Sequence, residues 1–404
     1  DLNTVAEFVT VLFLTLYVVI NLIAAIEKLV AEPSYRPKVN VPWYVSMIGA
    51  IGSLYVIYLI NHLALIGAVA LELAFYIYFR KKALEQQWGD VNAGFWLKMA
   101  RFSLLRLSDR NIRARNWRPL MLLFAEDIKE RIELVKLAGA FGQKRGILSI
   151  SKLLLSKEEP PRDSLRILRD QMIQDVREAE LEAFCEVNVV ESISNGIVTV
   201  TKGHGISGLK TNTVIFGWSG EKQGNINQLK IIRDLASINK NILLAKFNDH
   251  ESWQEPSHQR IDIWWSGSEN NVDLMLILAF MLKLNPEWEE AEIHIRSVAE
   301  TETEKAMLLA GIQRSLDEAR INAGVHVEVE PDFSFTETLQ RDSAKADIVF
   351  LGLQHTEVGA EKEHVEKLDE LSSVGKVVVF VQNNSLEDTI PLLLNIPERS
   401  PAAN

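Results

Sequence analysis

One cysteine, Cys185, stands in 404 residues, so no disulfide framework and no thiol-rich metal site can be built. That scarcity suits a reducing compartment. A basic excess is also missing: the formal net charge is −11, which argues against the electropositive face that nucleic acid requires. The eight histidines, among them His204, His250, His258 and His294, show no metal-ligand spacing. No metal and no cofactor are expected, and no nucleophile–base pairing marks the chain as an enzyme. There is no initiator Met and no signal-peptide layout before the first apolar stretch, which predicts the C-terminal portion of a longer protein.

Charge is missing locally as well. From Trp43 through Leu71 there is no Asp, Glu, Lys or Arg, and the apolar run continues past Glu72 to Phe79. As one helix this span would be roughly 55 Å long, against about 30 Å of hydrocarbon. A break at Asn61-His62 divides it into crossings at Trp43–Ile60 and Leu63–Phe79. Phe8–Ile26 is a third uncharged stretch, followed by Glu27-Lys28 and a connector punctuated by Pro33, Pro37 and Pro42. Three crossings place Lys28, Arg36, Lys38 and Arg80-Lys81-Lys82 on one side. By the positive-inside rule that side is cytoplasmic, Asp1 starts outside, and the remainder of the chain is cytoplasmic. Ala83–Asn116 mixes Trp88, Phe95, Trp96 and Phe102 with Lys98, Arg101 and Arg106. It reads either as a membrane-surface helix or as a linker helix packed on the soluble domain.

From Arg118 onward, apolar runs alternate with amphipathic helices. Strands are predicted at Leu120–Ala125, Ile147–Leu154, Glu186–Val190, Thr213–Trp218, Asn241–Phe247, Ile261–Trp265, Glu292–Val298, Val325–Val329, Asp347–Gly352 and Lys376–Val381. Helices are predicted at Ser164–Phe184, Asn227–Asn239, Val272–Leu284, Glu302–Ala323 and Gly359–Val374. This alternation predicts a parallel sheet covered on both faces. The strands split into two sets of five, and Thr213–Gly217 echoes Asp347–Gly352.

Four features carry candidate chemistry. Tyr17 lies mid-span, where its hydroxyl needs a partner that lipid does not supply; an anion and a neighbouring helix carbonyl both fit. Asn21, four residues on, shares its face and reads as an interhelical hydrogen-bonder. Glu72 lies inside the last crossing, where a charge exposed to lipid costs at least about 2.5–3.5 kcal/mol; it is either a proton or cation site, or it is protonated or bonded to a neighbouring helix or subunit. The stretch Gly217-Trp218-Ser219-Gly220-Glu221-Lys222-Gln223-Gly224-Asn225 follows a strand and precedes a helix, where α/β folds present backbone N–H groups to phosphate. Gly217, Ser219, Gly220 and Gly224 form a candidate nucleotide loop without P-loop or Gly-x-Gly-x-x-Gly spacing, so a plain glycine-rich turn is the competing reading. Trp264 and Trp265 face opposite sides of a strand, and Glu300–Glu304 reads as a solvated helix start.

An ordered series of short motifs resembles the cation–chloride cotransporters and their prokaryotic amino-acid-permease-like relatives. It comprises Leu2-Asn3, Ala6, Phe13-Leu14, Tyr17, Ile20-Asn21, Pro33 and Tyr35-Arg36-Pro37. It continues through Ser46, Gly49-Ala50-Ile51, Ile60-Asn61, Ala64 and Tyr76-Ile77-Tyr78 to Asn116-Trp117-Arg118-Pro119 and Ile261-Asp262-Ile263-Trp264-Trp265. The resemblance implies that the crossings are the tenth to twelfth of a twelve-helix inverted-repeat transporter, whose broken first and sixth helices lie upstream of Asp1. It implies an anion-binding role for Tyr17 and a cytoplasmic regulatory domain that forms a homodimer. Glu72 departs from it, since the family usually has an apolar residue there. Absence of long Ser/Thr-rich insertions points to a prokaryotic member.

The expected fold is therefore an α-helical membrane segment of three transmembrane helices followed by an α/β domain of two similar open parallel-sheet halves, each of about five strands. Residues 1–82 hold the helices (4–29, 43–61 and 63–79), 83–115 a linker helix, and 116–404 the cytoplasmic domain with halves 116–250 and 260–390. The expected function is the C-terminal part of an ion-coupled secondary active transporter in the cell membrane. Its partners are transported chloride, potassium or sodium, or an amino acid, together with membrane lipid and a second copy, and no nucleic acid. The alternative is a membrane-tethered nucleotide-sensing α/β module without transport of its own.

Overall fold

The uncharged stretches fold as helices, because a chain rich in Leu, Ile, Val and Ala satisfies its backbone most cheaply within one segment. The computed structural model describes residues 2–30, 41–81, 91–108, 117–142, 146–158, 160–206, 208–219, 221–249, 258–265, 271–319, 321–331 and 333–384. Two compact units result, Asp1–Asp109 and Arg110–Asn404.

The first unit contains α1 (Leu2–Val30), α2 (Trp43–Ile60), α3 (His62–Lys81) and α4 (Val91–Ser108). On α1, Val11, Val18 and Ala25 recur every seven residues and are all buried, the spacing that keeps one seam against a partner helix. Val11 and Val18 cluster with Ile57 of α2, and Leu14 and Leu65 pack against them. A Cβ at Gly49 would lie 3.1 Å from Asn21 Oδ1; small residues of this kind let membrane helices approach closely. The expected break sits at Asn61, whose Oδ1 accepts the Leu63 N–H at 3.0 Å and caps α3. Its side-chain amide donates to Glu7 at 3.4 Å. On α4, Lys98 donates to the Leu29 carbonyl in the last turn of α1, where helix carbonyls lack internal partners.

Val5–Leu29 and Trp43–Ile60 are long and apolar enough to cross a membrane. The crossing expected at 63–79 is helical, but its apolar part is the shorter Leu65–Phe75, and Glu72 lies within it. The connector prolines Pro33 and Pro37, the cations Arg36, Lys38 and Lys82, and all of the segment 83–90 fall outside the described residues.

In the second unit, short aliphatic runs become strands. The series is β1 (Leu120–Phe124), α5 (Ile132–Gly142), β2 (Ile147–Leu155), α6 (Arg162–Glu178), β3 (Phe184–Val190), α7 (Ile193–Gly203), a small hairpin β4 (Gly205–Ile206) and β5 (Leu209–Lys210), β6 (Thr213–Gly217), α8 (Lys222–Ala236) and β7 (Asn241–Phe247). It continues as β8 (Arg260–Trp264), α9 (Asn271–Lys283), β9 (Glu292–Ala299), α10 (Glu302–Ala319), β10 (Gly324–Val329), α11 (Phe335–Ser343), β11 (Ile348–Gly352), α12 (Glu361–Leu371) and β12 (Val377–Gln382). All ten long strands begin and end within two residues of the expected runs.

These ten form one sheet in the order β10-β9-β8-β11-β12-β7-β6-β1-β2-β3. The expectation of a purely parallel sheet needs one correction. β7 and β12 run antiparallel, from Val377 opposite Phe247 to Gln382 opposite Ile242. One face packs α5, α6, α9 and α10 around Leu137, Phe141, Met172, Leu278 and Ile312. The other packs α7, α8, α11 and α12 around Ile197, Leu229, Leu339 and Val365. Trp265 joins the first cluster and Trp264 the second, as alternation along a strand requires.

A second correction concerns coverage. The central β12 is buried at every residue, whereas β9 alternates along its length. Alternation marks a sheet face that is only partly covered. At the sheet centre, Phe380 is fully buried. Phe380→Ala should lower the stability of the second unit by about 3–5 kcal/mol, read as a shift of the denaturant midpoint with the slope unchanged.

Candidate functional site

Tyr17 and Asn21 share a face of α1, but Tyr17 is 56% exposed and so presents its ring away from the helices of this unit. Asn21 donates to the Tyr17 carbonyl at 2.9 Å. The amide thus backs onto its own helix, while its oxygen faces Gly49 of α2, 3.1 Å from where a Cβ there would stand. Glu72 is half-buried on α3.

The candidate loop after β6 is closed by its own side chains. Asn225 is fully buried. It accepts from Ser219 Oγ at 2.9 Å and donates to the Ser219 carbonyl at 2.7 Å. Gln228 donates to the Gly217 carbonyl at 3.1 Å, and the Trp218 indole donates to Asp369 at 2.6 Å. Gly220 lies outside the described residues. Gly224, in the first turn of α8, faces the Glu221 carboxylate, 3.6 Å from where a Cβ would stand. Glu221 is the residue that precedes the first turn of α8, and its negative charge there disfavours a phosphate.

At the start of α9, Asp273 is held by burial at a pKa of about 7 instead of the ordinary 3.8. Across the sheet, Arg233 of α8 donates to the buried Glu361 of α12 at 2.8 Å and holds its pKa below the usual carboxylate range.

Among the described residues, a dense group of charges lies on β8, β9 and β10. Asp262 is fully buried. Arg260 grips it through Nε and Nη2, both at 2.9 Å; Arg296 Nε donates at 3.0 Å and Ser343 Oγ at 2.6 Å. Trp264 in turn donates to Ser343 at 3.0 Å. A carboxylate in such surroundings is tolerable only when its lone pairs are filled this way. The row extends outward, since Asp262 pairs in register with His294, and His294 with Gly324. His294 Nδ1 lies 3.0 Å from His326 Nε2. Burial lowers the His294 pKa, and Arg260, His326 and Arg296 add to this against the pull of Asp262. Further out, Arg341 bridges Glu328 and Glu330, both at 2.6 Å.

At the start of β8, Asp347 accepts from the backbone of Gln259 at 2.7 Å and Arg260 at 2.9 Å, with Lys376 Nζ at 2.9 Å. Burial pushes its pKa up, but these donors and His258 together outweigh it and hold it low. His258 stacks on Trp288 with ring centroids 4.0 Å apart.

Sequence reasoning missed the Asp262 and histidine groups because, Arg260 aside, their partners lie 32 to 81 residues apart. The one available signal was a lone Asp inside the apolar run Ile261–Trp265. His250 falls outside the described residues. Among the described residues, no group of three or more His, Cys, Asp or Glu converges as a metal site.

Two measurements test this geometry. Asp262→Ala should destabilise the fold by about 3–5 kcal/mol, because it strands two arginines. For Asp273, the folded pKa of about 7 lies above the ordinary 3.8. Its burial therefore costs nothing below pH 4, and the cost grows until about pH 7. Asp273→Asn should match the parent in acid and exceed it by roughly 2–4 kcal/mol above pH 7, read from denaturant unfolding at both pH values.

No family model matches the chain. Potassium/chloride cotransporter 3 of Caenorhabditis elegans is 25% identical over 362 residues, covering 85% of this chain and 34% of that protein. The chain thus spans about a third of the length of that relative. A match of that extent is longer than the whole second unit, so it reaches into the helical one. Among solved structures, the cytoplasmic domain of a prokaryotic cation chloride cotransporter superposes with a TM-score of 0.51 at 16% identity, over 68% of this chain and all of that one. A universal stress protein from Archaeoglobus fulgidus superposes with a TM-score of 0.45 at 14% identity, over 69% of this chain and all of that one. The chain is a homologue of a cation–chloride cotransporter in sequence, and it has the fold of such a transporter's cytoplasmic domain.

Proposed function

We propose that this chain supplies membrane helices and the cytoplasmic regulatory domain of an ion-coupled secondary active transporter of the cation–chloride type. The observation that carries the reading is the continuous sequence match through both units. In this reading α1, α2 and α3 are three crossings, the protein is multi-pass, and the Lys28 and Arg80-Lys81 ends of the helices face the cytoplasm. Transport proceeds by alternating access at broken helices elsewhere in the membrane domain. Chloride with potassium or sodium is the cargo; amino-acid transport is the less favoured form of the same reading. The chain carries no catalysis.

The second unit is read as two similar halves. The strand order 3-2-1-4-5 runs outward to inward on each side of the β7–β12 junction, and each half has two helices on each sheet face, which supports that reading. A homodimer of this domain follows from the family resemblance. The nucleotide-sensing alternative is weaker, because Ser219 and Asn225 satisfy each other and Glu221 sits at the helix terminus.

Tyr17 is the residue of this chain assigned to the anion. It is exposed on α1 and free to face a helix from elsewhere in the transporter. In the transport-competent full-length protein, Tyr17→Phe should weaken chloride-dependent cation uptake about tenfold or more, the loss of one charge-assisted hydrogen bond. Unchanged chloride dependence would remove Tyr17 from the site.

A further inference from the structure

His294 and His326 meet over the edge of the sheet. β10 is one of the two edge strands, and Gly324 lies directly opposite His294 in register. Gly324 has no side chain, so the imidazoles of His294 and His326 lean together across its place. A Cβ there would stand 2.9 Å from His294 Nδ1 and 3.2 Å from His326 Nε2. The two nitrogens are 3.0 Å apart. Two metal–nitrogen bonds of about 2.1 Å that meet at about a right angle span the same distance. Right-angled nitrogen donors suit tetragonal or octahedral Cu²⁺ and Ni²⁺ better than tetrahedral Zn²⁺.

The surroundings fit a ligand role. Glu292 Oε2 lies 3.5 Å from His294 Nε2, the nitrogen that faces away from His326. A carboxylate in that place favours the proton on Nε2 and leaves Nδ1 with its lone pair, the arrangement in which a metal-bound histidine is oriented by an outer carboxylate. His326 is exposed, so an ion has an entry path and water can complete its coordination. Asp262, the nearest carboxylate in register, attracts a cation, while Arg260 and Arg296 oppose it. The pair was invisible to spacing rules because its members sit 32 residues apart on two strands.

We infer that His294 and His326 form a two-histidine site for one divalent transition-metal ion of the Cu²⁺ or Ni²⁺ type, oriented by Glu292 and kept open by Gly324. It is a site in the second unit, independent of the transport reading.

Calorimetric titration of NiCl₂ into the full chain, free of any polyhistidine tag and held in detergent micelles at neutral pH, tests it. One saturable ion per chain is expected. His326→Ala and Gly324→Ala should each weaken binding more than about tenfold, and Glu292→Gln by about tenfold. Gly324→Ala keeps both imidazoles and alters only the space between them. His204→Ala should leave binding unchanged. Circular dichroism of each variant confirms the fold, and the Cu²⁺ electron paramagnetic resonance spectrum should show two equatorial imidazole nitrogens. No saturable Ni²⁺ binding, binding indifferent to His326→Ala, or a single nitrogen on Cu²⁺ would overturn the site.

Discussion

The antiparallel ladder between β7 and β12 is the constraint on which the second unit depends. Every other neighbouring pair in the ten-stranded sheet is parallel and needs a helical crossover. At this one junction two strands meet without one, from Phe247 opposite Val377 to Ile242 opposite Gln382. The ladder turns what would be two exposed central edges into continuous sheet. Leu243, Leu244, Val379 and Phe380 on these strands are all fully buried, and both hydrophobic clusters extend across the junction.

Away from this centre the sheet changes character. Burial is complete at β12 and alternating at β9, and the side chains follow. Where two helix layers cover the strands, the residues are Val, Leu, Ile and Phe. Where cover thins, an Asp–Arg–Ser–His row takes over. Asp262 survives at the boundary because two arginines and a serine fill its lone pairs; burial without them would be prohibitive. The histidine pair lies at the wet end of the same row.

Much of this was legible. Ten aliphatic runs such as Thr213–Trp218 and Lys376–Val381 have no competing reading once turns bound them, and all ten contain strands. Three helices were not. α5 is apolar nearly all round and carries an internal Gly139; α7 is rich in Ile, Val and Thr, which favour strands; α11 is nine residues long. Tertiary packing overrides propensity in each. The antiparallel junction left no local trace, because apolar alternation does not encode strand direction. In the first unit the Asn61 break was readable as a polar pair in an apolar run, whereas the inward fold of Asn21 onto Tyr17 depends on the neighbouring Gly49.

The sequence match to a cation–chloride cotransporter reaches from the sheet into the helical unit, and within the sheet the single antiparallel ladder joins the two sets of five strands. Native-state hydrogen exchange along β7 and β12 measures that dependence most directly. Their amides should be among the slowest in the second unit and should open together with β1 and β8 in one global event. Early exchange at β7 and β12, with β1 and β8 still protected, would contradict it and show two halves that fold independently.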